Sequence, residues 1–247
     1  MRPERTVWLL AAAILVFSAI PARAATVLSY HGFDHSGLKT SITPEAFEEH
    51  LKFLTQNGYN IVSLEELAGY IDRREPFMPK TVAITIDDGW RSLMRGFALL
   101  QKYDLPFTLF LPMEYVANPA TKRTLAMADV EALRAYPKAS FADHSYSHSK
   151  RLMSPRIISG ATPASFIEQD IAKSRERYRQ VFGGETPFFA YPFGRGAKAY
   201  AALLNKAGFE YLFVVGGSSF DADVDKNAIP RLGGHHLSVG QLGKLIR

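Results

Sequence analysis

Thr81-Val-Ala-Ile-Thr-Ile-Asp-Asp-Gly-Trp90 is the stretch on which the reading of the chain turns. Thr81 to Ile86 is apolar and β-branched, the composition of a buried strand. Asp87 and Asp88 follow at its C-terminal end, and then Gly89. Neighbouring side chains on an extended chain point to opposite faces. Two adjacent acids therefore face a common partner only if the backbone turns sharply, and Gly89 permits such a turn. Acids at the C-terminal rim of a buried strand stand where parallel α/β folds keep their chemistry. Taken alone, Asp-Asp-Gly is equally the composition of a surface turn.

Outward from this strand the same rhythm repeats in both directions. Strands are predicted at Ala25 to Tyr30, Asn60 to Val62, Phe107 to Leu111, Ala139 to Ala142, Phe188 to Tyr191, Tyr211 to Val215 and Ile229 to Leu232. Between them, Thr43-Pro44 caps a helix with Phe47, Leu51 and Leu54 on one face. Ser63 and Glu66 form a capping box. Further helices are predicted from Leu93 to Leu100, Met127 to Tyr136, Pro163 to Phe182, Ala197 to Ala207 and Ser238 to Ile246. Phe33 to Ser41 reads as polar loop. Strand–helix alternation implies a parallel sheet with helical crossovers. Seven or eight units in one domain suggest a barrel, complete or not, with an open doubly wound sheet as the alternative. No repeat, low-complexity tract or linker divides the part after residue 24.

The second informative stretch is Asp143-His144-Ser-Tyr-Ser-His148, which follows a strand. If it turns helically, His144 and His148 share a face and can bind one metal. A zinc site that does chemistry has three protein ligands and an open position. Two histidines and one rim aspartate meet that requirement. Without the aspartates, the pair reads as two half-exposed loop histidines.

These two motifs resemble those of the polysaccharide deacetylases, the carbohydrate esterases with a NodB-like domain. Thr85-Ile-Asp-Asp-Gly89 matches their first motif and His144 to His148 their second. The resemblance implies a distorted, incomplete (β/α) barrel of about seven parallel strands and a divalent metal, most often Zn2+. It implies Asp88, His144 and His148 as metal ligands and Asp87 as general base. In the third motif Pro192-Phe193-Gly194 is kept, with Pro192 and Phe193 on the oxyanion and substrate side. The family arginine that tethers the catalytic aspartate is replaced by Ala190, which leaves Arg195 or Arg231 to do so. The fourth motif is not recognisable. Leu232-Gly-Gly-His235 matches the fifth, so His235 is the expected general acid, with His236 competing. Leu28-Ser-Tyr-His31, Ile42 to Phe47 and Gly58 to Leu64 are similar to deacetylases of poly-β-1,6-N-acetylglucosamine. His31 reads as a strand-end residue or a supporting residue of the site. Trp90, Tyr146 and Phe193 are either sugar-stacking aromatics or packing.

Composition narrows the setting. The chain has 247 residues, 47% hydrophobic and 21% charged, as in a folded globular protein. Arg2 and Arg5, the apolar run Val7 to Ile20 and Ala22-Arg23-Ala24 form an export signal, with cleavage expected before Ala25. An uncleaved anchor is the competing reading, but the run is shorter than the ~20 residues of a spanning helix. Residues 1–24 carry +2 of the net charge of +5, so residues 25–247 carry +3, too little to imply a nucleic-acid partner. There is no cysteine, which excludes disulfides, thiolate zinc sites and cysteine nucleophiles. The expectation is an exported enzyme, periplasmic, extracellular or on the cell surface. Its domain spans residues 25–247, its partner is an acetylated polysaccharide, and membrane-associated export machinery is a further one. O-acetyl ester hydrolysis or glycan binding without catalysis are the alternatives.

Overall fold

The structure, a computed structural model, describes residues 23–118, 120–217 and 219–246. All but the last two residues of the expected export signal lie outside them. No helix among the described residues is long and apolar enough to cross a membrane.

In chain order the elements are β1 (Ala25–Tyr30), β2 (Gly32–Phe33), β3 (Ser41–Ile42), α1 (Pro44–Gln56), β4 (Asn60–Val62), α2 (Leu64–Arg73), β5 (Thr81–Asp87), α3 (Leu93–Lys102), β6 (Phe107–Leu111), α4 (Met127–Arg134) and β7 (Ala139–Asp143). A 3-10 turn at Lys150–Leu152 leads to α5 (Ser154–Ile158), α6 (Ala164–Phe182) and β8 (Phe188–Ala190). The chain continues through a 3-10 turn at Pro192–Gly194, α7 (Lys198–Lys206), β9 (Tyr211–Val215), β10 (Ile229–Gly233) and α8 (Val239–Leu245).

Seven parallel strands close into a ring in the order β1, β10, β9, β8, β7, β6, β5. Closure comes from β1 and β5, which pair along six residues from Ala25↔Thr81 to Tyr30↔Ile86. That pairing excludes the open sheet. The other edge of β5 is shared, with β4 along Thr81 to Ala83 and β6 along Thr85 to Asp87. One seam is thin: β7 and β8 are in register at a single pair, Asp143↔Phe189.

The period of two along each strand sorts the residues. Val27, Ala83, Phe110, Ala142, Ala190, Phe213 and Ile229 pack together within the ring. Their neighbours Leu28, Ile84, Ile86 and Leu109 pack outward with Phe47, Leu51, Phe97 and Leu100 of α1 and α3. The same parity turns Thr85, Asp87 and Arg231 inward.

Helix ends follow the sequence signals. Thr43 Oγ1 accepts the Ala46 N–H at 3.2 Å. Ser63 and Glu66 exchange their two capping bonds at 3.1 and 2.9 Å. Gly183 closes α6 with φ +79°. Three expectations change. Residues 33–41 are not wholly loop, because β2 and β3 pair in parallel across them. The 3-10 turn at Lys150–Leu152 and α5 carry no strong periodic signal and were not expected. The Met127 helix stops at Arg134, two residues short of Tyr136.

Candidate active site

The carboxylates of Asp87 and Asp88 reach one cleft because β5 breaks its extended path between them. Asp87 is the last residue of β5 and keeps its inward parity. Asp88 then takes φ +70° and Gly89 φ +65°. Asp88 itself makes the turn, a conformation that aspartate tolerates better than most side chains. Gly89 is needed next to it for space as well, since a Cβ there would lie 2.8 Å from Leu111 Cδ2.

Asp87 is buried, 2% exposed, against Arg231, which is fully buried. The guanidinium donates to both carboxylate oxygens at 2.7 Å, a bidentate pair. It also donates to Thr85 Oγ1 at 3.3 Å and lies over the Phe110 ring. Burial by itself pushes the Asp87 carboxyl up. The Arg231 guanidinium, with smaller contributions from His144 and His31 at the acid pH where the carboxyl titrates, more than offsets this and holds it well below the usual carboxylate range. Of the two arginines named from sequence, Arg231 does the tethering, from β10. Arg195 is exposed.

Asp88, His144 and His148 bring one donor atom each to within 4.8 Å of one another. His144 Nε2 and His148 Nε2 lie 3.6 and 3.7 Å from Asp88 Oδ1. Donors about 2.1 Å from a shared tetrahedral ion stand roughly 3.4 Å apart, so the two Asp88–histidine separations fit. Protonation fits as well. His144 Nδ1 lies 2.7 Å from the Ala190 carbonyl oxygen, which only accepts, so Nδ1 carries the hydrogen. Nε2 is left with its lone pair facing Asp88. Burial, and secondarily the neighbouring His148, push His144 down to about 4 despite the two aspartates, so it is neutral at pH 7. Two lone-pair atoms face each other here, an arrangement that a shared cation stabilises. The other carboxylate oxygen of Asp88 accepts Trp90 Nε1–H at 3.1 Å, which leaves Oδ1 toward the histidines.

The route to this histidine pair differs from the sequence expectation. Residues 144–148 are not helical, and Ser145 and His148 have φ +72° and +43°. The rings still meet, with centroids 4.8 Å apart, because two left-handed residues fold the segment back on itself.

The open cleft over these groups has a volume of about 300 Å³ and includes His31, Tyr191, Phe193, Val215 and His235 in its walls. Phe193 is 43% exposed, with φ +62°, and its ring lies 4.8 Å from that of His148. Pro192 is buried beneath it in the same turn. His235 lines the cleft, and His236 beside it is exposed. Trp90 walls an adjoining groove of about 320 Å³ together with Leu38 and Arg123. His31 is more central than its sequence reading. Its Nε2 is 3.8 Å from Asp87 Oδ2, and its ring stands edge-on to His235. Position 190 contributes through its carbonyl rather than its side chain. No residue-type pattern reveals that.

Comparison with known proteins agrees with this architecture. The chain is similar to YxkH of Bacillus subtilis, 24% identical over 185 residues that cover 74% of this chain and 62% of that protein. It is similar to the poly-beta-1,6-N-acetyl-D-glucosamine N-deacetylase of Escherichia coli, 27% identical over 107 residues. That match covers 42% of this chain and 16% of the E. coli protein. The chain thus spans less than two thirds of either relative. Among solved structures, IcaB from Ammonifex degensii shares the fold, with a TM-score of 0.80 and 22% identity over 92% of this chain and 98% of that one. A family model described as polysaccharide deacetylase matches residues 74–212, more than half of the sequence, and the chain accordingly belongs to the polysaccharide deacetylase family.

Proposed function

We propose that the chain is a metal-dependent hydrolase that removes N-acetyl groups from an exported polysaccharide, poly-β-1,6-N-acetylglucosamine or a related glycan. The observation that carries this reading is the Asp88, His144 and His148 donor set opening on the same cleft as the arginine-held Asp87. The E. coli relative's activity supports the choice of glycan. The apolar, basic-headed N-terminus supports export.

Asp88, His144 and His148 would hold a divalent metal, Zn2+ by the nitrogen-rich donor set, which would supply a Lewis acid for a carbonyl and lower the pKa of a water. Asp87 takes the proton of the attacking water on a carboxylate oxygen. Arg231 occupies one lone pair of each oxygen and leaves another free. The same pair keeps Asp87 ionised, as a base must be. The Phe193 N–H is the donor to the oxyanion that forms as water oxygen bonds to the acetyl carbon. Breakage of the C–N bond then needs a proton on the leaving nitrogen, and the products are acetate and a free amine.

His235 is the family's donor for that proton. Burial, and then its neighbours His31 and His236, push it down to about 4, so at pH 7 it holds no positive charge. The nearness of His31 Nε2 to Asp87 favours a second reading, in which His31 donates and His235 sets its orientation. Under that reading His31→Asn lowers acetate release about 10²–10⁴-fold and His235→Asn by about tenfold or less. Steady-state assays of both variants check it, and the reverse order returns the role to His235.

The overall test is acetate release from defined oligosaccharides: β-1,6- and β-1,4-linked N-acetylglucosamine oligomers and O-acetylated xylan, with and without chelator. Release from the β-1,6 oligomers is expected to fall to background on chelation and to return with Zn2+. Release that survives exhaustive chelation would defeat the metal reading. Release from the O-acetyl ester alone would replace the N-deacetylase by an esterase. No release, with stoichiometric metal absent, would leave a glycan-binding module.

A further inference from the structure

Segment 145–148 has an unusual conformational cost. Ser145 and His148 are both left-handed at non-glycine positions, a conformation that a Cβ disfavours. Tyr146 and Ser147 between them run with successive N–H groups pointing into the protein rather than along a helix. Such a segment persists only if its surroundings over-determine it.

Its hydrogen bonds can be followed one by one. The Ser145 N–H donates to Asp143 Oδ1 at 2.8 Å, and the His148 N–H to Ser145 Oγ at 3.0 Å. The Ser145 and Tyr146 carbonyls accept from Met113 and Glu114, both at 3.0 Å, and the Ser147 carbonyl from the Tyr115 hydroxyl at 3.1 Å. The two central amides have one destination. Tyr146 N–H donates to Asp170 Oδ2 at 2.9 Å and Ser147 N–H to Asp170 Oδ1 at 3.1 Å, and the Ser147 hydroxyl adds a 2.5 Å bond to Oδ1.

Asp170 lies on α6, buried to 4% exposure, 22 residues beyond His148 in sequence. One helical turn further, Ser174 bonds the Asp143 carboxylate at 2.7 and 2.8 Å. The i and i+4 positions of one helix face thus hold the centre of the segment and, through Asp143, the residue that accepts from its first amide. A buried carboxylate with three donors is an anchor for backbone, and charge-assisted bonds of this kind are the strong ones. Among the described residues, no Lys, Arg or His side-chain nitrogen lies within 4 Å of its oxygens.

We propose that Asp170 is a positioning residue for the metal centre: it sets the left-handed path of residues 145–148 and thereby aims the His148 imidazole at the site shared with Asp88 and His144. The inference rests on the metal reading given above, but its test separates the two. Asp170 is neither a wall residue of the cleft nor one of the three donors, so its effect is on affinity for the ion.

The experiment compares the wild-type chain, Asp170→Asn and Ser147→Ala, each stripped of metal and titrated with Zn2+ by calorimetry and with Co2+ by visible absorption. Asn is isosteric but turns an NH2 group toward one of the two amides. Asp170→Asn is expected to bind Zn2+ about 10–100-fold more weakly, as loss of a group supporting a metal ligand usually does. Its Co2+ spectrum is expected to lose intensity from the histidine that has moved. At saturating Zn2+, acetate release is expected to return to within about threefold of wild type, since all three ligands remain. A merely structural role would lower the melting temperature without rescue by metal. Ser147→Ala removes one bond of the three and is expected to weaken Zn2+ binding by less than about tenfold. It serves as the readout if Asp170→Asn does not fold. Unchanged Zn2+ affinity in the folded variants, with wild type binding normally, overturns the role of Asp170. Failure of wild type to bind Zn2+ or Co2+ overturns the metal reading instead.

Discussion

Asp87→Asn is expected to lower acetate release about 10²–10⁴-fold, the usual contribution of a positioned base, while Zn2+ still binds to Asp88, His144 and His148. The structure adds a second effect. Asn cannot balance the Arg231 guanidinium, which is fully buried. A buried charge stripped of its partner costs about 3–5 kcal/mol, so the melting temperature should fall together with the activity. The double variant Asp87→Asn/Arg231→Met separates the two effects. It removes both charges and is expected to recover most of the stability and none of the activity, because well-packed apolar replacements of buried pairs are often neutral. Acetate release from Asp87→Asn at the wild-type rate, measured on metal-loaded protein, would remove Asp87 from the mechanism.

Arg231→Ala is expected to have a structural effect of the same size. It leaves Asp87 in an apolar layer against Phe110, with only the more distant histidines to offset burial. The expected loss is again about 3–5 kcal/mol, read by chemical denaturation. The pH dependence has a definite sign. In the wild type the folded-state carboxyl is held below its unfolded value. Its contribution is therefore complete above the ordinary aspartate range, near pH 4, and is lost only as the pH falls through the depressed folded value. Without the guanidinium, burial dominates and the carboxyl rises. Asp87 then takes up a proton at higher pH, and the acid limb of the rate profile moves upward. An unchanged acid limb in a folded Arg231→Ala protein would show that something else keeps Asp87 ionised.

Much of this was open to inspection in the sequence. Strand–helix alternation is a local signal, and each run read as a strand became one, all of them in the ring except Asn60 to Val62, which pairs with β5 beside it. The inward parity of Asp87 follows from counting along β5, and its carboxylate lies where that count puts it. Arg231 could not be chosen over Arg195 by any local rule. It meets Asp87 only because β1 joins β10 on one side and β5 on the other. That is a fact of ring closure between residues 144 apart. The histidine pair was legible from spacing, but its conformation was not. Ser-Tyr-Ser gives no hint of left-handed residues, and a helical turn was the natural expectation. The path depends on α6 and on the loop after β6. His31 was underrated for the same reason, since its nearness to Asp87 depends on β1 lying beside β5.

The thin seam between β7 and β8 has a bearing on how this protein moves. With one residue pair in register there, the bond from the His144 ring to the Ala190 carbonyl acts as a side-chain stitch where backbone rungs are scarce. Parting the ring along that line breaks fewer rungs than at any other, so it is where breathing of the ring should begin. His144 sits on the line itself. Each such excursion disturbs a proposed ligand, since it stretches the one side-chain bond that fixes the orientation of the His144 ring. A ligand that binds only His144 held in this orientation would favour the closed seam through that bond, so its affinity and the opening of the ring would be linked.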